Sequence, residues 1–219
     1  MSTQLTIDAR PGEAVFIVDD DASICEGLQN LLESVGVPAV CYGSAEEFAG
    51  KWNAEQAGCM LLDARLPGMS GVEFQEKLRK AGAGIPIIFM TAHGDIPMVR
   101  KVLKAGATEF LTKPFQKEEL LAAVEHAFSL DRSRRAEEKV LNSIRGRMAT
   151  LTEREKEVMG MVTSGLLNKQ IAGELKLSEI TVKLHRRHVM EKMGADSLAD
   201  LVKMCERVKN APKAVRAGR

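Results

Sequence analysis

The sequence predicts an α/β fold, a doubly wound five-stranded parallel sheet, followed by a helical linker and an all-α domain. Two observations carry that expectation. Short, continuously apolar runs alternate with stretches of helical periodicity through the first 128 residues, and the chain reverses its charge along its length. Its 219 residues suffice for one large domain or two small ones. Up to Glu125 there are 11 Lys/Arg against 18 Asp/Glu, a net charge of −7, while the remainder carries 20 against 12, or +8. Near-neutrality overall therefore hides an acidic half suited to cations or phosphoryl groups and a basic half suited to a polyanion.

The strands are read in order from "AVFIVD" at Ala14, "PAVCY" at Pro38, "CMLLDA" at Cys59, "IPIIFMTA" at Ile85 and "TEFLTKPF" at Thr108. Helical periodicity intervenes at Ile24, Leu28, Leu31 and Leu32, at Val72, Phe74 and Leu78, at Met98, Val102 and Leu103, and last at Leu120, Leu121, Val124 and Phe128. Five strands alternating with about five helices make a parallel sheet. The runs are too uniformly apolar to leave one face wet, so helices should cover both sides.

Charge dominates from Leu130 to Thr150, where Val140, Leu141, Ile144 and Met148 are the apolar anchors. Helix formers without proline make this a helical linker continuing the fifth helix, with Gly146 the point where it would break. A second compact unit begins at "LTEREKEVM", where Thr152 and Glu155 form a capping box and Leu151, Val158, Met159 and Val162 an apolar face. The expected domains are 1–128, a linker over 129–147, and 148–219 including a basic tail, "NAPKAVRAGR", read as disordered.

Cys25, Cys41, Cys59 and Cys205 show no paired spacing and are read as reduced thiols. The N-terminus lacks an apolar core of signal-peptide length, and no run of about 18 apolar residues occurs. A soluble, cytoplasmic protein is expected, with no membrane partner.

In a sheet of flavodoxin-like topology, ligands collect beyond the carboxyl ends of strands one and three. Asp19 and Asp20 end strand one within "VFIVDDDASI", and Asp63 ends strand three in "LLDARLPG". An all-oxygen donor set suits Mg²⁺ better than zinc. Thr91 ends strand four and Lys113 ends strand five before Pro114, so a hydroxyl and an ammonium face the carboxylates and complete a pocket for a phosphoryl group.

Those residues and the "KPF" at Lys113 resemble the receiver domain of bacterial two-component response regulators over residues 13–128. The resemblance implies that Asp63 is the phospho-accepting nucleophile, and that Asp20, Asp63 and the Arg65 carbonyl ligate Mg²⁺ while Asp19 holds a metal-bound water. It also implies that Thr91 bonds the phosphoryl oxygen and that Lys113 pairs with Asp63 or its phosphate. Asp21 is left to cap a helix or to be solvated. Phe110 aligns with an aromatic that swings inward on activation, although a plain core phenylalanine fits equally. His93 in "TAHGD" is read as a loop histidine rather than a ligand.

In the basic half, Ile171, Ala172 and Leu175 belong to one helical pattern and Ile180, Val182, Val189 and Met193 to a second, with Ser178 as N-cap. This is a helix-turn-helix without glycine in its turn, and a positive second helix suits a major groove. "LTEREKEVM", "GLLNKQIAGEL" and "TVKLHRRHVMEKM" resemble the LuxR/NarL/FixJ type of DNA-binding domain over residues 148–208, and "HGDIPM" and "SLADLV" favour the FixJ subgroup. The resemblance places DNA reading on Glu179–Met193, with Lys183, Leu184 and Arg187 on base edges and Asn168, Lys169, Thr181 and Arg186 on phosphates. Leu198, Leu201 and Val202 would pack a last helix that helps form a dimer.

The implied protein is a phosphorylation-activated transcription regulator, not an enzyme beyond transfer to and from its own aspartate. Its expected partners are a sensor histidine kinase, double-stranded promoter DNA, RNA polymerase and a second copy of itself. An atypical receiver that acts without phosphate is the alternative. A haloacid-dehalogenase-type phosphatase would need Asp-x-Asp, but Ala64 and Arg65 follow Asp63. A quorum-sensing regulator would need an aromatic ligand pocket, against which 4% aromatic content argues.

Overall fold

The computed structural model describes residues 7–92, 100 and 106–211. It divides into two compact units that meet in the chain between Arg135 and Ala136.

Five strands build the first unit: β1 (Glu13–Val18), β2 (Ala39–Tyr42), β3 (Ala57–Asp63), β4 (Ile87–Thr91) and β5 (Glu109–Thr112). All neighbours are parallel, as the apolar runs predict, and the order is β2-β1-β3-β4-β5. Parallel neighbours require crossovers. Helices α1 (Ala22–Glu33), α2 (Ala45–Lys51) and α3 (Gly71–Lys80) supply them, and α4 (Lys117–Ala149) follows β5. The helix expected around Met98, Val102 and Leu103, the His93 loop and "HGDIPM" lie outside the described residues, as does the tail from residue 212.

Because successive strand side chains alternate between faces, each strand feeds two cores. Val15, Ile17, Cys59, Leu61, Ile88 and Met90 pack with Leu28 and Leu32 of α1 and with Leu120, Val124 and Phe128 of α4. Phe16, Val18, Met60, Leu62, Ile87 and Phe89 pack on the opposite face with Phe48 of α2 and Val72, Phe74 and Leu78 of α3. The sheet is thus covered on both sides.

Periodicity does not reveal α2, whose seven residues bury only Ala45 and Phe48. Its signal is at the N-cap, where Ser44 Oγ accepts the Glu47 N–H at 3.1 Å and Glu47 Oε2 accepts the Gly43 N–H at 2.9 Å. Phe48 anchors the helix by stacking on Trp52 at 5.4 Å and meeting the edges of Tyr42 and Phe74 at 5.2 and 5.9 Å.

The amino end of β3 is fixed by a long-range contact. Gly58 has φ +139°, and a Cβ there would stand 1.8 Å from the Ala14 carbonyl oxygen, so only glycine fits. Its N–H donates to Asp131 of α4 at 3.0 Å, and the buried Asp131 carboxylate also accepts from Arg134 at 2.5 Å and Arg135 at 2.6 Å.

In the second unit, the end of α4 is followed by α5 (Glu153–Thr163), α6 (Asn168–Leu175), α7 (Glu179–Met193) and α8 (Leu198–Asn210). Its core gathers Ile144, Leu151, Val158, Met159, Val162, Ile171, Ala172, Val182, Val189, Met193 and Leu201. The Thr152–Glu155 capping box forms as expected. Helix α4 runs unbroken through Gly146. A helical glycine costs about 1 kcal/mol against alanine, but Ile144 is buried in this core and Met148 packs against it, one on each side of the glycine. Ile180 departs from its expected place in the apolar pattern. It is 79% exposed, because it lies two residues, some 200° of helix, from Val182. Among the described residues no helix is long and apolar enough to cross a membrane.

Candidate functional site

Sheet register assembles the acidic site. Val18 pairs with Leu62, Asp63 with Met90, and Thr91 with Thr112. The residues that follow or close these strands therefore emerge at one end of the sheet, where β1 lies between β2 and β3 and the strand order reverses. Asp19, Asp20 and Asp63 each bring a carboxylate oxygen within 4.8 Å of the others.

Lys113 supplies the positive charge. Its Nζ lies 2.6 Å from Asp19 Oδ2 and 3.4 Å from Asp63 Oδ1. Asp19 is buried, and its other oxygen accepts the Asp21 N–H at 3.0 Å. Burial pushes the Asp63 carboxyl above its ordinary range, Lys113 draws it down and Asp19 adds to the rise. Burial also opposes the Lys113 charge, yet hydrogen bonding and attraction from Asp19, with Asp63 behind it, hold that pKa above the usual lysine value.

Asp20 is exposed, and Asp63 Oδ2 accepts the Arg65 N–H at 3.3 Å. Thr91 is buried at the end of β4, and its carbonyl accepts the Lys113 N–H at 2.7 Å. Asp21 turns out to be a helix cap, since its Oδ1 accepts the Ser23 and Ile24 N–H groups at 2.9 and 3.4 Å. Phe110 lies beside Phe89 in the ladder and is half-buried against the α2–α3 face.

Gly71 carries no motif signal, yet it shapes the site. A Cβ on it would lie 2.4 Å from the Asp63 carbonyl oxygen, so glycine lets α3 begin directly behind the acidic strand end. Its only sequence signal is the glycine after Ser70, whose side chain caps α3.

Three carboxylates and a lysine fit a hard divalent cation together with a phosphoryl group. Oxygen donors of this number suit Mg²⁺, and the carboxylates lie close enough that a cation relieves their mutual repulsion.

The second candidate site is α7. Ser178 Oγ accepts the Thr181 N–H at 3.1 Å, and the two hydroxyls lie 2.8 Å apart. Arg186 Nη1 donates to Asn168 Oδ1 at 2.7 Å, so two residues expected on phosphates meet each other across the helix-turn-helix. Lys169, Lys183, Leu184 and Arg187 are exposed, with Arg187 paired to Glu191 at 2.8 Å. The turn is closed by Lys176 in the left-handed region at φ 54°.

Comparison with known proteins places a family model on each half of the chain. The family model "Response regulator receiver domain" matches residues 15–125, and "Bacterial regulatory proteins, luxR family" matches residues 149–205. Nodulation protein W of Bradyrhizobium diazoefficiens is 48% identical over 192 residues, covering 88% of this chain and 85% of that protein. Transcriptional regulatory protein FixJ of the same organism is 36% identical, covering 88% and 94%. The solved structure of response regulator StyR shares 47% identity with a TM-score of 0.78, over 90% of this chain and 99% of that one. With a family model on each half and relatives aligned over nearly nine tenths of its length, the chain belongs to the two-component response regulators that join a receiver domain to a LuxR-family DNA-binding domain, and it is a transcription regulator.

Proposed function

We propose that Asp63 accepts a phosphoryl group from a sensor histidine kinase and that the phosphorylated chain pairs through its receiver and binds promoter DNA. The receiver spans 1–128, the linker 129–147 and the DNA-binding domain 148–219. The observation that carries this reading is the meeting of Asp19, Asp20 and Asp63 with Lys113 at one sheet end.

An Asp63 carboxylate oxygen attacks phosphorus in line as the P–N bond to the donor imidazole breaks, and the imidazole keeps the electron pair. The product is a mixed anhydride, so positioning and charge neutralisation suffice without a dedicated general base. Asp20, Asp63 and the Arg65 carbonyl would hold Mg²⁺, with Asp19 on a metal-bound water, and the ion would neutralise phosphoryl charge. Thr91 donates its hydroxyl to a phosphoryl oxygen and Lys113 pairs with another. Capture of that group biases the end of β4, β5 and Phe110 toward the active arrangement.

Two paired copies place their α7 helices on a two-fold DNA site, since protein and operator symmetry match. Lys183, Leu184 and Arg187 face base edges, while Asn168, Lys169, Thr181 and Arg186 serve the backbone. The regulator works in the cytoplasm, where kinase, promoter and RNA polymerase meet.

Intact mass with acetyl phosphate and Mg²⁺, read beside light scattering, tests the switch. One added phosphoryl group and a monomer-to-dimer shift, both absent in Asp63→Asn, are expected. An unchanged mass with an unchanged oligomer would leave an atypical, phosphate-independent receiver.

A further inference from the structure

The face of α7 turned away from the core is not simply basic. Val182, Val189 and Met193 are the buried positions, and Ile180, Lys183, Leu184 and Arg187 follow one another at i, i+3, i+4 and i+7 on an exposed stripe. Within it Ile180 is 79% and Leu184 49% exposed. A lone exposed aliphatic residue is ordinary, but these two stand one turn apart, aligned, and alternate with Lys183 and Arg187 on a helix whose N-terminus Ser178 caps.

Resting on the DNA-binding reading above, we infer that Ile180, together with Leu184, reads thymine methyl groups in the major groove. Among the base-pair edges displayed there, thymine alone presents an apolar group, its C5-methyl, while guanine offers acceptors that suit Lys183 and Arg187. Charge complementarity commits the stripe to this occupant, because Lys183, and Arg187 in exchange for its Glu191 partner, favour a polyanion beside the apolar surface the aliphatic pair covers. Four residues of helix advance about 6 Å, which corresponds to roughly two base-pair steps at about 3.4 Å each. Ile180 and Leu184 therefore select thymines one or two steps apart, flanked by guanine. The site is a specificity element, distinct from the phosphate contacts that set register.

The test is selection of random duplex DNA with the full-length chain, with and without acetyl phosphate and Mg²⁺. Each thymine of the enriched site is then replaced by deoxyuridine, which removes only the methyl. Wild type should lose about fourfold in affinity per contacted methyl, and Ile180→Ala should abolish that loss at one thymine while retaining it elsewhere. Leu184→Ala should do the same at a neighbouring thymine. Ile180 is solvent-exposed, and matching melting temperatures verify that its variant is folded. An enriched site at which deoxyuridine costs both proteins equally overturns this inference and leaves the regulator reading standing. Failure to enrich any sequence in either condition overturns the DNA-binding reading itself, and this inference with it.

Discussion

The ammonium of Lys113 sits 2.6 Å from Asp19 Oδ2, closer than the 3.4 Å that separates it from Asp63 Oδ1. The lysine thus neutralises the buried carboxylate of β1's end first and reaches the candidate phosphoacceptor second. Asp63 keeps a raised pKa beside it because burial outweighs this looser attraction. Removing one partner of a buried pair leaves an uncompensated charge, at a cost of about 3–5 kcal/mol. Lys113→Met should therefore lower the melting temperature of the receiver unit sharply in EDTA, and Mg²⁺ should restore more of it than it adds to wild type. Equal Mg²⁺ shifts in both proteins would show that lysine and cation do not share these carboxylates.

The second unit has its own buried carboxylate. Glu155 caps α5, accepts from Lys192 at 2.6 Å and lies 3.7 Å from His188 Nδ1. The Lys192 hydrogen bond, followed by the Thr152 N–H, lowers its pKa from 4.5 to about 2. A folded-state value below the unfolded one stabilises above about pH 4.5, and that stability is lost as pH falls from there toward 2. Glu155→Gln should accordingly melt well below wild type at pH 7, and the gap should narrow steadily through pH 4 to pH 3. A pH-independent gap would mean that packing, not charge, accounts for the loss.

Lys176 closes the helix-turn-helix at φ 54°, where the Leu177 N–H reaches the Ala172 carbonyl at 2.9 Å. A left-handed conformation costs a side-chain-bearing residue roughly 1–2 kcal/mol, whereas glycine adopts it freely but loses more entropy on folding. Lys176→Gly should stabilise the second unit by about 0.5–1 kcal/mol. Calorimetry of the full chain should show its transition rising by a few degrees, and a fall would show that the lysine stem is packed to advantage.

Much of this was legible because the signals were local. Uninterrupted apolar runs fixed the five strands, and parallel register brings Asp19, Asp63, Thr91 and Lys113 to one end once the strand order is 2-1-3-4-5. Ile180 joins the apolar pattern by hydrophobicity alone, but its angle about the helix turns it away from the core. The Gly58–Asp131 bond joins residues 73 apart, and the Arg186–Asn168 bond residues 18 apart. Neither leaves a trace in local composition. Helix α2 escaped because two buried residues in seven define no period, so only its cap could announce it.

The pairing of Arg186 with Asn168 bears on how the basic surface divides its labour. A guanidinium held at 2.7 Å by an amide oxygen is oriented; it ties α6 to α7 and, on the proposed function, would meet a phosphate at one position. Lys169 and Lys183 are exposed and unlike each other in placement, the first at the start of α6 and the second on the outer stripe of α7. On a selected duplex, Lys169→Ala should weaken binding to all sequences alike and reduce the slope of log affinity against log salt by about 1. Lys183→Ala should instead cost about 1–3 kcal/mol on the preferred site and relax the choice of a single base pair. Asn168→Ala should fall between them, weakening binding uniformly while the salt slope stays near wild type, because Arg186 keeps its charge and loses only its orientation. Fluorescence anisotropy over a salt series on preferred and substituted duplexes separates the three outcomes. A loss of sequence preference in Lys169→Ala would contradict its assignment to the backbone.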